Sequence, residues 1–149
     1  MTPPSAPRAG TASVDAERAS LAVAAAVVTT LVGLTLASVP FGDSGWLRPA
    51  YYAAIPAALV SPALPAAARG ACGRGPFVAV ALGVGPGVAW TLAVVVARGV
   101  SRLLGRSPTP GDAPLWAIAT YFGLAGVVVA VGGYLLGRAG RSASTRLGE

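Results

Sequence analysis

The chain has 149 residues, of which 54% are hydrophobic and only 11% charged, with a formal net charge of +6. Soluble chains average about 25% charged residues. The composition therefore excludes an ordinary cytosolic enzyme, a soluble basic nucleic-acid binder and a disulfide scaffold, and it points to a protein held in lipid.

All 11 basic residues are arginines, and they stand mostly singly between apolar runs. That is the pattern of loops at lipid headgroups, not of a nucleic-acid surface. The one cysteine, Cys72, cannot form an intramolecular disulfide, and the length allows a single domain.

In chain order, residues 1–18 are small and polar with no apolar period, and are expected to form a disordered tail. The run Ala19–Val39 contains no charge. About 20 helical residues at 1.5 Å each cross a hydrocarbon core of roughly 30 Å. Although Thr35-Leu36-Ala37 resembles a small-residue cleavage site, the run is too long for a signal core and reads as a retained helix.

The second run, Ala50–Ala68, is weakly apolar. Its strongest residues are Ile55, Leu59, Val60 and Leu64, which contribute about −1 to −2.5 kcal/mol to insertion. Pro56, Pro62 and Pro65 each remove a backbone donor, so a kinked helix is expected, with neighbouring helices satisfying the freed carbonyls. The third run, Phe77–Ala97, contains Gly83-Val84-Gly85-Pro86-Gly87. Without a preceding strand or a lysine this is no phosphate loop, and it reads as a helix break. The fourth run, Leu115–Leu136, has 10 Leu, Ile, Val or Phe residues and inserts unaided, by about −3 to −6 kcal/mol. Residues 137–149 read as a short basic tail.

The fold class is therefore all-α: a four-helix transmembrane bundle whose second and third helices are broken by Pro and Gly. Four crossings place both termini on one face. That face carries seven arginines against four on the other, which favours cytoplasmic termini in a cell-membrane protein. The stretch Gly42-Asp43, Trp46, Tyr51-Tyr52 is echoed by Gly111-Asp112, Trp116, Tyr121-Phe122. The echo suggests two pseudo-repeated helical hairpins; turn and interface chemistry alone would also produce it.

Packing signals are the most specific feature. Gly123, Gly126, Ala130, Gly133 and Gly137 line one face of the fourth helix, and Ala79, Gly83 and Gly87 make a seam on the third. Ala22, Ala26, Thr29, Gly33 and Ala37 make another on the first. Helices in lipid associate through close backbone approach, which small residues permit. Breaks around Pro56, Pro62, Gly85 and Pro86 would suit a substrate path at mid-bilayer. Arg98, Arg102 and Arg106 share one helical face and are expected to meet lipid phosphate from an interfacial extension of the third helix. Trp46, Tyr51, Tyr52, Trp116 and Tyr121 fall on the face away from the termini, as an aromatic belt at headgroup level does.

Catalysis has few candidates. There is no histidine, and Asp15, Glu17, Asp43, Asp112 and Glu149 all lie outside the apolar runs. Asp43 and Asp112 share a face and could approach each other, but no Cys, Asp or Glu cluster has metal-ligand spacing. In size and helix number the chain looks like the small multidrug exporters. It lacks a glutamate inside its first apolar run, so their activity is not carried over. The expected role is non-enzymatic and without cofactor: a structural or accessory subunit, or a self-associating membrane module. A passive channel or a carrier for a small neutral or apolar solute is the second reading. The expected partners are the lipid bilayer and a second copy or another membrane subunit, with no nucleic acid.

Overall fold

A computed structural model of the protein describes residues 9–41, 44–105 and 114–147. These residues form helices α1 (Ala9–Phe41), α2 (Leu47–Val60), α3 (Ala63–Ala71), α4 (Phe77–Leu103) and α5 (Leu115–Leu147). Four spans are long and apolar enough to cross a membrane: Val14–Phe41, Leu47–Ala71, Phe77–Leu103 and Leu115–Arg146. The second span joins α2 and α3. The start of α1, the end of α3 and the later part of α5 lie together, joined through Glu17, Arg69, Arg74 and Tyr134, so α1 begins and α5 ends at the same end of the bundle.

Helix α1 begins at Ala9, which corrects the expectation of a disordered stretch up to residue 18; residues 1–8 lie outside the described residues. The reason is visible in its spacing. Val14, Glu17, Leu21, Ala24, Val28, Leu31 and Thr35 alternate steps of three and four and form the inward face. Residues 11–18 contain neither Pro nor Gly, so nothing interrupts that face. The basic stretch after Leu136 is likewise helical as far as Leu147; its start packs on α3 and the turn that follows, through Gly137, Arg138 and Arg141, while residues 138–146 are exposed.

The expected break in the third run is corrected as well. Helix α4 runs continuously through Gly83–Gly87. Pro86 removes one ladder bond, to the carbonyl of Leu82, and the flanking glycines leave room for its ring. At Ser61-Pro62 the α-helical ladder is interrupted, yet both residues keep right-handed helical dihedrals. Pro62 has no N–H for the carbonyl of Ala58, and the Ser61 hydroxyl donates to that carbonyl instead, at 2.9 Å. Pro65 leaves the carbonyl of Ser61 free in the same way, and Leu64 N–H donates to it at 3.4 Å. The carbonyls of Ala58 and Ser61 thus find donors within the span.

The bundle is built around α5. Its packing on α4 and α3 is the most extensive in the molecule, and α1 lies across α4, α2 and α3. Glycine makes these contacts close. A Cβ on Gly83 would stand 2.6 Å from the carbonyl oxygen of Gly126, and one on Gly126 would collide with the carbonyl of Gly83. On the same face of α5, a Cβ on Gly133 would meet Ala63 O at 2.5 Å, and one on Gly137 would overlap Ala67 O. Ala130 between them is fully buried. At these levels backbone touches backbone, which gives dispersion contact where lipid supplies no hydrophobic drive.

Two core clusters result. One gathers Leu31, Ala54, Ala58, Trp90 and Phe122; the other gathers Ala66, Ala79, Ala130 and Tyr134.

Candidate functional site

Glu17, on the inward face of α1, is 4% exposed although it is a carboxylate. A buried charge persists only when paired and hydrogen-bonded. Arg69, in the last turn of α3, donates from Nη1 to Glu17 Oε1 at 2.6 Å. Arg74, three residues beyond α3, donates from Nη1 to Glu17 Oε2. One carboxylate thus ties α1 to both the end of α3 and the turn leading into α4. Two arginines against one glutamate leave a formal surplus of one positive charge.

The turn is held from its other side by α5. The Tyr134 hydroxyl donates to the carbonyl of Arg74 at 2.9 Å. Gly73 adopts φ 69°, a left-handed conformation that favours glycine. The Arg141 guanidinium lies in the space a Cβ on Gly73 would need. Gly70 meets the backbone of Tyr134 so closely that no side chain fits there either. Between this turn and the end of α5 opens a cleft of about 460 Å³, lined by Arg74, Arg138, Arg141, Ser142 and Thr145 among others.

A second polar group sits toward the other end of the bundle. Trp90 Nε1–H is shared between Thr35 Oγ1 and the Tyr51 hydroxyl, each at 3.1 Å, and Thr35 in turn donates to Leu31 O at 2.8 Å. Phe122 meets the Trp90 ring edge-on, with centroids 4.2 Å apart. Each of these hydrogen bonds stays inside the bundle, as groups placed against lipid require.

The residues singled out from sequence distribute as follows. Gly83, Gly87, Gly126, Ala130 and Gly133 are buried in helix contacts, and Gly137 is half-buried against α3. The backbone of Gly123 is approached by Gly87, while its own Cβ direction is open. Trp46, Tyr52, Trp116 and Tyr121 are exposed, whereas Tyr51 turns inward to Trp90, which corrects its assignment to the outer belt. Arg98 is half-buried and Arg102 exposed, both on α4, which continues without interruption to Leu103. Arg106, Asp43, Asp112 and the turns carrying the internal echo lie outside the described residues.

Pro56, Pro62, Gly85 and Pro86 are not brought together. Pro56 and Gly85 face outward, while Pro62 and Pro86 are buried in packing. The cleft lies elsewhere, at the arginine-rich end. Glu17 lies outside the apolar runs, as read from the sequence, and is nevertheless buried. The first helix does carry a buried glutamate, two residues before the apolar run, and two arginines hold it.

Glu17, Trp90 and Tyr134 escaped sequence reasoning. The three-four spacing from Val14 to Thr35 could have placed Glu17 on the inward face, and Tyr134 neighbours a glycine of the packing seam. Trp90 follows Gly83 and Gly87 at the same helical spacing. Among the described residues, no three Cys, Asp or Glu side chains gather as a metal site.

Comparison with protein-family models, with curated proteins and with solved structures finds no match for this chain.

Proposed function

We infer that the chain is a non-catalytic multi-pass module of the cell membrane that acts by association, either with copies of itself or as an accessory subunit of another membrane protein. Both termini lie in the cytoplasm in this reading, with seven arginines on their face against four on the other. One observation carries the functional reading: the close glycine contacts. Where α4 meets α5 and α3 meets α5, backbones approach too closely for a solute to pass between them. The molecule's unused surface is on its outside.

The outer face of α1 supports association in particular. Ala22, Ala26, Thr29 and Gly33 are exposed along one stripe, and a Cβ on Gly33 would meet nothing within 4 Å. Small residues of this kind permit another helix to approach closely.

The test is gentle extraction of tagged protein from its own membranes, followed by native gel sizing and mass spectrometry of the co-purifying chains. A stoichiometric second protein, or a homogeneous oligomer, is the expected result. A dispersed monomer at the concentration found in the membrane, carrying solute flux when placed in vesicles, would overturn the reading.

A further inference from the structure

We propose that the cleft between the α3–α4 turn and the end of α5 binds a phosphate-bearing anion, with Arg138 and Arg141 as its principal ligands and Arg74 at its inner wall.

Three observations combine. The cleft is a formed space of about 460 Å³ whose lining includes three arginines and no carboxylate. Among the described residues, Arg138 and Arg141 have no carboxylate partner, and the one buried acid nearby, Glu17, is already shared by Arg69 and Arg74. Among the described residues, the positive surplus is therefore uncompensated. Arg138 and Arg141 are exposed, and two of the three arginines, Arg74 and Arg141, are also held in place. Arg141 sits over Gly73, at a position that glycine alone leaves open, and the turn beneath it is pinned by Tyr134 and Glu17.

Guanidinium groups bind phosphate oxygens through paired, charge-assisted N–H donors. The Ser142 and Thr145 hydroxyls spend their protons on carbonyls of α5 and turn no donor toward the cleft. Recognition rests on the arginines.

Depth gives the ligand its context. The apolar part of α5 ends at Leu136 and that of α1 begins at Ala19, so the cleft opens just past the hydrocarbon, at the level of lipid phosphates. A phospholipid headgroup and a soluble phosphate share the chemistry, and experiment separates them.

The purified full-length chain in neutral detergent is incubated with equal amounts of phosphatidylglycerol and phosphatidylcholine, and retained lipid is read by native mass spectrometry. Preferential retention of phosphatidylglycerol is expected. It should fall by about tenfold or more in Arg138→Gln/Arg141→Gln, which removes two charge-assisted contacts when loss of one already gives about tenfold, and stay unchanged in Arg48→Gln at the opposite end. Should the double variant fail to fold, Ser142→Glu places a repelling carboxylate in the cleft from an exposed position and should give a similar loss. Inorganic phosphate and pyrophosphate are then titrated against the lipid-loaded protein. Displacement at millimolar concentration assigns the site to a soluble phosphate, and retention of the lipid assigns it to a headgroup. Equal retention of the two lipids together with no binding of phosphate or pyrophosphate would overturn the proposal. So would a phosphatidylglycerol preference that survives Arg138→Gln/Arg141→Gln but falls in Arg48→Gln.

Discussion

Glu17 and Arg69 stand 52 residues apart in the chain and 2.6 Å apart in space. Their pairing, extended by Arg74, closes one end of the bundle. The same contact explains why α1 is longer than its apolar run: the helix must continue past the hydrocarbon to deliver the carboxylate. Burial makes the pair unforgiving, because neither partner tolerates the other's removal.

Glu17→Gln should therefore destabilise the fold by about 3 kcal/mol, since it leaves the largely buried Arg69 without its counter-charge. The Arg74 side chain is 45% exposed, and solvent screening limits the cost of Arg74→Gln to about 1 kcal/mol or less. Thermal unfolding followed by circular dichroism in one fixed detergent should rank them in that order. Equal losses would contradict the account.

The glycine contacts make a sharper comparison within α5. Gly126→Ala drives a methyl group into the backbone of α4 at Gly83 and should cost about 1–3 kcal/mol. Gly132→Ala, six residues along, meets nothing within 4 Å. It should be neutral or stabilising by up to about 1 kcal/mol through helix propensity. A denaturant titration of both variants decides the point.

Ser61→Ala should weaken the middle of the second span by about 1–2 kcal/mol, because the Ala58 carbonyl loses its donor opposite Pro62. Ser61→Thr keeps the hydroxyl and should recover most of that loss. If alanine and threonine behave alike in thermal unfolding, the hydroxyl has no such role.

Trp90 is 7% exposed, against 60% for Trp46 and 72% for Trp116. Its emission should resist acrylamide in a Trp46→Phe/Trp116→Phe background, while the two outer tryptophans quench readily. Trp90→Phe should in addition cost about 1–3 kcal/mol by removing the donor shared by Thr35 and Tyr51.

Cys72, half-buried at the end of α3, is the chain's one thiol and reports orientation. With both termini in the cytoplasm, a membrane-impermeant maleimide should label it in inverted vesicles and spare it in intact cells. The opposite pattern would invert the topology.

Much of this architecture was legible in advance because lipid imposes it. A run such as Leu115–Leu136 inserts on its own energetics, and a backbone in hydrocarbon must be helical to satisfy its polar groups. The glycine spacing on α5 was legible for a related reason. Periodic small residues in such a run have few structural uses besides close approach.

The ends were not legible, since there the solvent no longer dictates the outcome. Residues 11–18 carry the composition of a tail, and the basic stretch after Leu136 does too, but α1 continues to bring Glu17 to its arginines, and the start of the basic stretch lies against α3 and the turn after it. Proline was misleading in the third run: Pro86 announced a break, yet the glycines around it relieved its crowding and α4 runs through.

Hydropathy and helical period, both properties of the chain read along its length, determined that the protein is a helical bundle with four membrane-length spans. Which charges are buried was decided only when α1, α3 and α5 met. Glu17 reads as one more polar residue until Arg69 and Arg74 arrive from more than 50 positions away. Tyr51 reads as an interfacial aromatic until Trp90 offers it a donor. Periodicity along a helix shows which residues share a face. The partner of each face, and hence the arginine-lined cleft at the bundle end, depends on contacts between segments distant in the chain, which no local pattern encodes.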